Sequence, residues 1–139
     1  MNNHPRLPSW LKLHLNHGHN FNNIKRVLTE KGINTICYSA NCPNKGECFS
    51  DNELTFLILG ETCTRNCKYC NVKKAGSEKL GINENEIPKI VEVCKELNLK
   101  YIVITSVTRD DLPDGGADQF VKIVEGAKKA IPDIKIELL

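Results

Sequence analysis

Apolar residues crowd into three short runs along the chain, and between the runs they recur every three or four positions. The runs are residues 54–59 (Leu-Thr-Phe-Leu-Ile-Leu), 101–105 (Tyr-Ile-Val-Ile-Thr) and 134–138 (Ile-Lys-Ile-Glu-Leu). Runs of this length predict strands, and one that is apolar on both faces predicts a strand covered on both sides, as in a parallel sheet. The periodic stretches predict helices over residues 84–97 and 117–130. In the first, Ile87, Ile90, Val91, Cys94 and Leu97 share a face, Asn83 or Asn85 caps the start, and Pro88 is tolerable in the first turn. In the second, Phe120, Val121, Val124 and Ala127 are the expected buried set. Strand, helix, strand, helix, strand makes two successive βαβ units, for which the right-handed crossover is the rule. Upstream, Ile24, Val27 and Leu28 mark a shorter helix that begins near Asn20 or Asn22 and stops at Gly32. The pattern changes near residues 50–53, dividing an N-terminal segment, residues 1–52, from a βα region, residues 53–139.

Chemistry concentrates in the polar connections. Directly after the first run and Gly60 comes Cys63-Thr64-Arg65-Asn66-Cys67-Lys68-Tyr69-Cys70. Three thiolates spaced C-x3-C-x2-C can wrap one metal cluster but cannot complete a four-coordinate site, and structural zinc usually takes four ligands from C-x2-C pairs. Cysteine thiolates also hold iron–sulfur clusters, and three of them leave one iron free for a small molecule. A second set, Cys37-x4-Cys42-x5-Cys48, is interleaved with Pro43, Asn44 and Gly46, which predict a loop curling its thiolates toward one centre. By itself this set also fits a zinc knuckle with a borrowed ligand; beside the first motif it favours a second iron–sulfur cluster. Cys94 sits on an apolar helical face and reads as a small core residue.

Reactive loops of parallel βα architectures gather at the C-terminal ends of the strands. The connections at residues 60–72 and 105–116 leave two such ends and are expected to face one another. One carries the thiolates; the other opens with Thr105 and Ser106, whose hydroxyls suit a ligand bearing amino and carboxylate groups. Arg109, Asp110 and Asp111 read equally as site residues or as a salt-bridged turn, and Gly115 and Gly116 read as a turn.

Composition narrows the class. The 139 residues are 40% hydrophobic and 26% charged, as in soluble globular proteins. A net charge of +2 without a long Lys/Arg run gives no footprint for nucleic acid, and no apolar stretch approaches the roughly 20 residues that span a bilayer. The first residues lack the features of a signal or transit peptide, so the seven cysteines read as metal ligands in a reducing, cytoplasmic setting. Residues 1–19 hold all four histidines and read as a solvated arm, with Leu7, Pro8, Trp10 and Leu11 as its apolar anchor.

With an aromatic, Tyr69, before its last cysteine, the 63–70 loop resembles that of radical S-adenosylmethionine (SAM) enzymes. Together with Cys37-x4-Cys42-x5-Cys48 and the block Thr105-Ser106-Val107-Thr108-Arg109-Asp110-Asp111-Leu112-Pro113-Asp114-Gly115-Gly116-Ala117, the chain resembles the lipoyl synthase family from about Pro8 to its last residue. The resemblance implies an α/β fold, a partial parallel (βα) barrel of radical SAM type with only the first three strands present and an N-terminal loop/helix extension. It implies that Cys63, Cys67 and Cys70 hold a [4Fe-4S] cluster whose open iron chelates SAM, source of a 5′-deoxyadenosyl radical. The backbone around Tyr69 would then meet the adenine, and Thr105 and Ser106 the methionyl end. Cys37, Cys42 and Cys48 would hold a second [4Fe-4S] cluster, consumed as sulfur donor.

The reaction so implied is a sulfurtransferase reaction, insertion of two sulfur atoms at carbons 6 and 8 of an octanoyl chain on a lipoyl carrier domain. The carrier would be a 2-oxoacid dehydrogenase E2 or glycine cleavage H protein, and the electron donor a ferredoxin or flavodoxin. An unactivated C–H bond offers no acid and no leaving group, so a cofactor must carry the hard step. This sequence departs from the family at Tyr38 and Ser39 (usually acidic), Glu61 (usually Asp) and Phe49 (usually Trp). Three of the family's six βα units are missing, as is the Arg-Ser-Ser-Tyr motif whose serine completes the second cluster. The expectation is therefore an N-terminal half, inactive alone. Competing readings are another two-cluster radical enzyme such as a methylthiotransferase, a non-catalytic zinc-binding module, and a half that complements a separately encoded partner.

Overall fold

In the computed structural model, which describes Pro8, residues 19–77 and residues 80–139, the three apolar runs lie side by side. In chain order the elements are α1 (His19–Lys31), α2 (Ile36–Ser39), α3 (Lys45–Ser50), β1 (Thr55–Ile58), β2 (Thr62–Cys63), β3 (Lys73–Lys74), α4 (Glu86–Glu96), β4 (Tyr101–Ser106), α5 (Ala117–Ala130) and β5 (Lys135–Leu138). β1, β4 and β5 form one parallel sheet in that order, with α4 and α5 as the crossovers. Register pairs Phe56 with Ile104 and Ile102 with Ile136. The face carrying Phe56, Ile58, Ile102 and Ile104 is fully buried, whereas Thr55, Val103 and Thr105, on the opposite face, are half-buried. α/β character and a parallel sheet of three strands are as expected.

The helices follow their apolar stripes. α1 ends at Gly32 (φ +62°), where the N–H of Ile33 returns to the carbonyl of Leu28 at 3.0 Å, the bond pattern of a glycine-closed helix. On α4 the buried residues include Ile90, Val93 and Cys94, while Ile87 and Val91 pack against α5 where Gly126 leaves room: a β-carbon there would lie 3.7 and 3.8 Å from their methyls. α5 corrects one expectation. Its buried row is Gln119, Ile123 and Ala127, and Val121 is 54% exposed. At about 100° per residue, Val121 lies roughly 200° round the helix from both Gln119 and Ile123, so no orientation buries all three.

Two connections expected to be irregular carry structure. Residues 37–48 form α2 and α3 joined by a turn with Asn41 at φ 52°, which corrects the expected loop. Turn formers occupy only the middle of the segment. Helices this short do not hold themselves together; here Phe49 is fully buried, its ring 5.6 Å from Phe21 and 5.8 Å from Tyr38. Asn20 donates its amide N–H groups at 3.0 Å to the carbonyls of Phe49 and Ser50 at the end of α3. The other surprise is β2–β3, a two-residue parallel pair, Thr62 with Lys73 and Cys63 with Lys74, where the sequence predicted no strand. The outer edge of β1 is met by Asn34 and Thr35, through an antiparallel bridge from Thr35 to Phe56 and the Leu57 N–H on the Asn34 carbonyl at 3.1 Å. The arm with its histidines, Trp10 and Leu11 lies outside the described residues, apart from exposed Pro8 and the backbone of His19. No helix among the described residues is long and apolar enough to cross a membrane.

Cys94 is fully buried, and that burial pushes its thiol up to about 12 from an ordinary 9.0. A thiol whose folded pKa is raised stabilises the fold below the unfolded value and loses that contribution as pH climbs through the folded one. Between pH 8 and 10.5 this amounts to about 2 kcal/mol at 1.36 kcal/mol per unit. Urea unfolding at the two pH values is expected to show that loss in the parent chain and to show it flattened in Cys94→Ala.

Candidate functional site

The chain leaves β1 through two consecutive residues in the left-handed region, Leu59 (φ 68°) and Gly60 (φ 91°). Such a conformation costs a leucine about 1–2 kcal/mol, and it is held by Glu86 from the first turn of α4. The Glu86 carboxylate accepts the N–H of Leu59 at 2.8 Å and of Gly60 at 3.1 Å. Burial pushes that carboxyl up, and the two N–H groups draw it back. Glu86 thereby fixes the direction in which residues 60–72 depart.

Those residues meet the loop after β4, as expected, through contacts that can be named. The N–H of Thr64 donates to the Thr108 carbonyl at 3.0 Å. The Thr64 hydroxyl lies 3.0 Å from both that carbonyl and Asp110 Oδ2, and accepts the Asp110 N–H at 3.1 Å. Arg65 grips the same carboxylate with Nε at 2.9 Å and Nη2 at 2.7 Å, holding it below the usual carboxylate range. Asp110 is thus the strut between the two loops. Arg109 works in the other direction. Its side chain is 1% exposed; Nε and Nη2 reach the Asp111 carboxylate at 2.8 Å each, while Nη1 and Nη2 reach the carbonyls of Gly81 and Leu80 at 3.1 and 2.9 Å. Arg109 is therefore a buried clasp that ties the connection before α4 to the loop after β4, not an arginine of a solvated turn.

Within this frame Cys63 is buried in β2 and Cys67 and Cys70 are partly exposed. Burial opposes ionisation of Cys63, but the N–H groups of Arg65 and Thr108, the Thr108 hydroxyl and the Lys74 cation outweigh it, and the thiol lies below its ordinary range. Tyr69 is 93% exposed. Thr105 and Ser106 belong to the end of β4, opposite Leu57 and Ile58, and are half-buried. Thr108, Lys74 and Glu86 were not singled out from the sequence. Their partners lie in other elements, and no local spacing announces them.

The second cysteine set lies toward the opposite end of β1, a strand of roughly 10 Å at about 3.3 Å per residue. Cys37 is buried in α2, and burial pushes its thiol up while the N–H of Thr55 draws it back. Cys48 is raised by burial and then by Cys37, Glu53 and Cys42, so the three sulfurs share one field. Lys45 lies 4.3 Å from the centroid of the Tyr38 ring, whose buried hydroxyl has no hydrogen-bond partner among the described residues.

All seven cysteines are free thiols, and among the described residues no three His, Cys, Asp or Glu side chains close on a single ion. Of the thiols at 63, 67 and 70, the surroundings of Cys63 suit the thiolate-bound iron–sulfur group that the resemblance implies. Cys63 lies opposite Lys74 in the β2–β3 register, and the Nζ of Lys74 is shielded and unpartnered among the described residues, a cation suited to an anionic group at that sulfur.

Comparison with known proteins gives the family. Residues 57–139 match the model of the radical SAM superfamily, and residues 1–42 match the N-terminal domain of lipoyl synthase of that family. The lipoyl synthase of Chloroflexus aurantiacus is 44% identical over 137 residues, 99% of this chain and 44% of that protein. Those of Caldicellulosiruptor saccharolyticus and Alkaliphilus metalliredigens are each 45% identical, over 95% and 96% of this chain and 46% of their own lengths. The chain thus spans rather less than half the length of the curated relatives it matches. With the superfamily model covering more than half of its residues, the chain belongs to the radical SAM superfamily, and over nearly its whole length it is similar to lipoyl synthases.

Proposed function

We propose that this chain carries the cluster-binding part of a lipoyl synthase. Residues 53–139 form the start of a partial radical SAM (βα) barrel, and residues 1–52 the extension bearing the second cysteine set. Cys63, Cys67 and Cys70 hold one [4Fe-4S] cluster and Cys37, Cys42 and Cys48 a second. The backbone at Tyr69 and the hydroxyls of Thr105 and Ser106 take SAM. When bound, the first cluster with SAM supplies one-electron chemistry able to attack an unactivated C–H bond. The residues of the chain itself do simpler things. Glu86 sets the exit of the loop, Asp110 braces it against the loop after β4, and the N–H groups of Arg65 and Thr108 stabilise the Cys63 thiolate. The activity so served is insertion of two sulfur atoms at carbons 6 and 8 of a protein-bound octanoyl chain. Its carrier is a 2-oxoacid dehydrogenase E2 or glycine cleavage H protein, its reductant a ferredoxin or flavodoxin, and its setting the cytoplasm.

The observation that carries this reading is the match of residues 57–139 to the radical SAM superfamily, together with similarity to lipoyl synthases over nearly the whole chain. The share of its relatives that the chain spans supports a further part of the proposal: the 139 residues bind clusters without forming product by themselves. Anaerobic reconstitution tests the reading. Iron and sulfide are expected at about four irons per cysteine set, with a paramagnetic signal on reduction that changes when SAM is added. Cys67→Ala is expected to abolish the SAM-responsive signal, and Cys42→Ala to leave it. Stoichiometric zinc without sulfide, or a signal indifferent to SAM, would overturn the assignment; lipoylated carrier formed by this chain alone would overturn the inactivity.

A further inference from the structure

Successive residues of a strand point to opposite faces, and in β3 the two are both lysines. Lys73 is exposed and pairs with Glu61 at 3.5 Å. Lys74 is partly covered and its Nζ is shielded from solvent, with no hydrogen-bond partner among the described residues. It lies opposite Cys63 in the β2–β3 register. An unpaired buried ammonium strongly destabilises a fold unless an anion meets it. Among the described residues, the carboxylates of the surrounding segments are engaged elsewhere: Glu61 with Lys73, Glu86 with the N–H groups of Leu59 and Gly60, Asp110 with Arg65 and Thr64.

We infer that Lys74 supplies the buried counter-charge of the anionic, thiolate-ligated cluster at Cys63, a positioning residue that retains the cluster and raises its reduction potential. The inference rests on the cluster reading above. Reduction adds negative charge to the group, so a fixed cation beside it favours the reduced state.

The test uses the 139-residue chain, apo and anaerobically reconstituted, as parent, Lys74→Met and Lys74→Arg. Three quantities are read: iron content, the reduced-to-oxidised ratio of the SAM-responsive signal at a fixed applied potential, and urea unfolding of the apo chain. In Lys74→Met the ratio is expected to fall at least tenfold, equivalent to about 59 mV for a one-electron couple, and Lys74→Arg to recover most of it. Loss of iron from Lys74→Met in an apo chain of parental stability also supports the retaining role. The apo Lys74→Met chain is expected to be at least as stable as the parent, because it sheds an unpaired buried charge; a structural lysine would give the reverse. An unmoved ratio with the cluster present, or a less stable apo variant, overturns the inference while the cluster reading stands. A parent chain that assembles no cluster overturns both.

Discussion

Arg109→Met is expected to remove about 3 kcal/mol of stability, the low end of the 3–5 kcal/mol typical of breaking a buried ion pair. Methionine keeps much of the apolar stem, so the loss isolates the polar part. The guanidinium is 1% exposed whereas Asp111 is 39% exposed, and solvent therefore takes over part of what Asp111 loses. The carbonyls of Leu80 and Gly81, now served by Nη2 and Nη1, lose their donors as well. Arg109→Lys is expected to recover less than half, because a single ammonium cannot span the three acceptors a planar fork reaches. Urea midpoints give the stabilities. Faster hydrogen exchange confined to residues 80–81 and 109–112 would be the local signature of an opened clasp.

Gly116→Ala is expected to be about as damaging, at roughly 2–5 kcal/mol. Gly116 precedes α5 at φ +97°, and a β-carbon there would sit 2.3 Å from Leu59 Cδ1. A left-handed alanine costs about 1–2 kcal/mol, and overpacking a filled core adds about 1–3 kcal/mol. Leu59 has little freedom to retreat, since it is 4% exposed and its own left-handed backbone is held by Glu86. Gly115 is the control: it is also left-handed, at φ +63°, but has nothing within 4 Å of its virtual β-carbon. Gly115→Ala is therefore expected to cost only the backbone share. Capping does not distinguish the two, because Asp114 accepts the N–H of Gly116 at 3.0 Å and of Asp118 at 2.8 Å. Displaced Leu59 should also lower iron uptake at Cys63 in Gly116→Ala and leave it unchanged in Gly115→Ala.

Sequence pattern told most where an element is long enough to repeat itself. α5 runs over the residues its periodicity marks, α4 starts two residues inside the expected span, and the three apolar runs pair as parallel strands. Cys94 behaves as the core residue its helical position implies. Pattern failed where an element is shorter than its own period. α2 has four residues and β2 and β3 two each, so nothing recurs; what holds them is tertiary, Phe49 between Phe21 and Tyr38 or Cys63 beside Lys74. Val121 failed differently, because counting apolar residues does not choose which row of a helix faces inward. Cysteine spacing picked out the thiols proposed as donors. It could not name Thr108 or Glu86, nor divide Arg109 from Asp110, since the bonds that place them across the fold join residues 26 to 46 positions apart, nor Lys74, which the β2–β3 register places.

The strut between Thr64 and Asp110 has a consequence for the order of events as the protein matures. Thr64 and Thr108 stand 44 positions apart, and they meet only after β1 and β4 have paired in parallel, the slow, long-range kind of contact in a folding chain. An unfolded chain offers the same three sulfurs but none of the amides, hydroxyl or cation that favour ionisation of the first. On the proposed cluster reading, iron and sulfide would therefore meet this environment only in a polypeptide that has already collapsed, so that the fold would precede the metal.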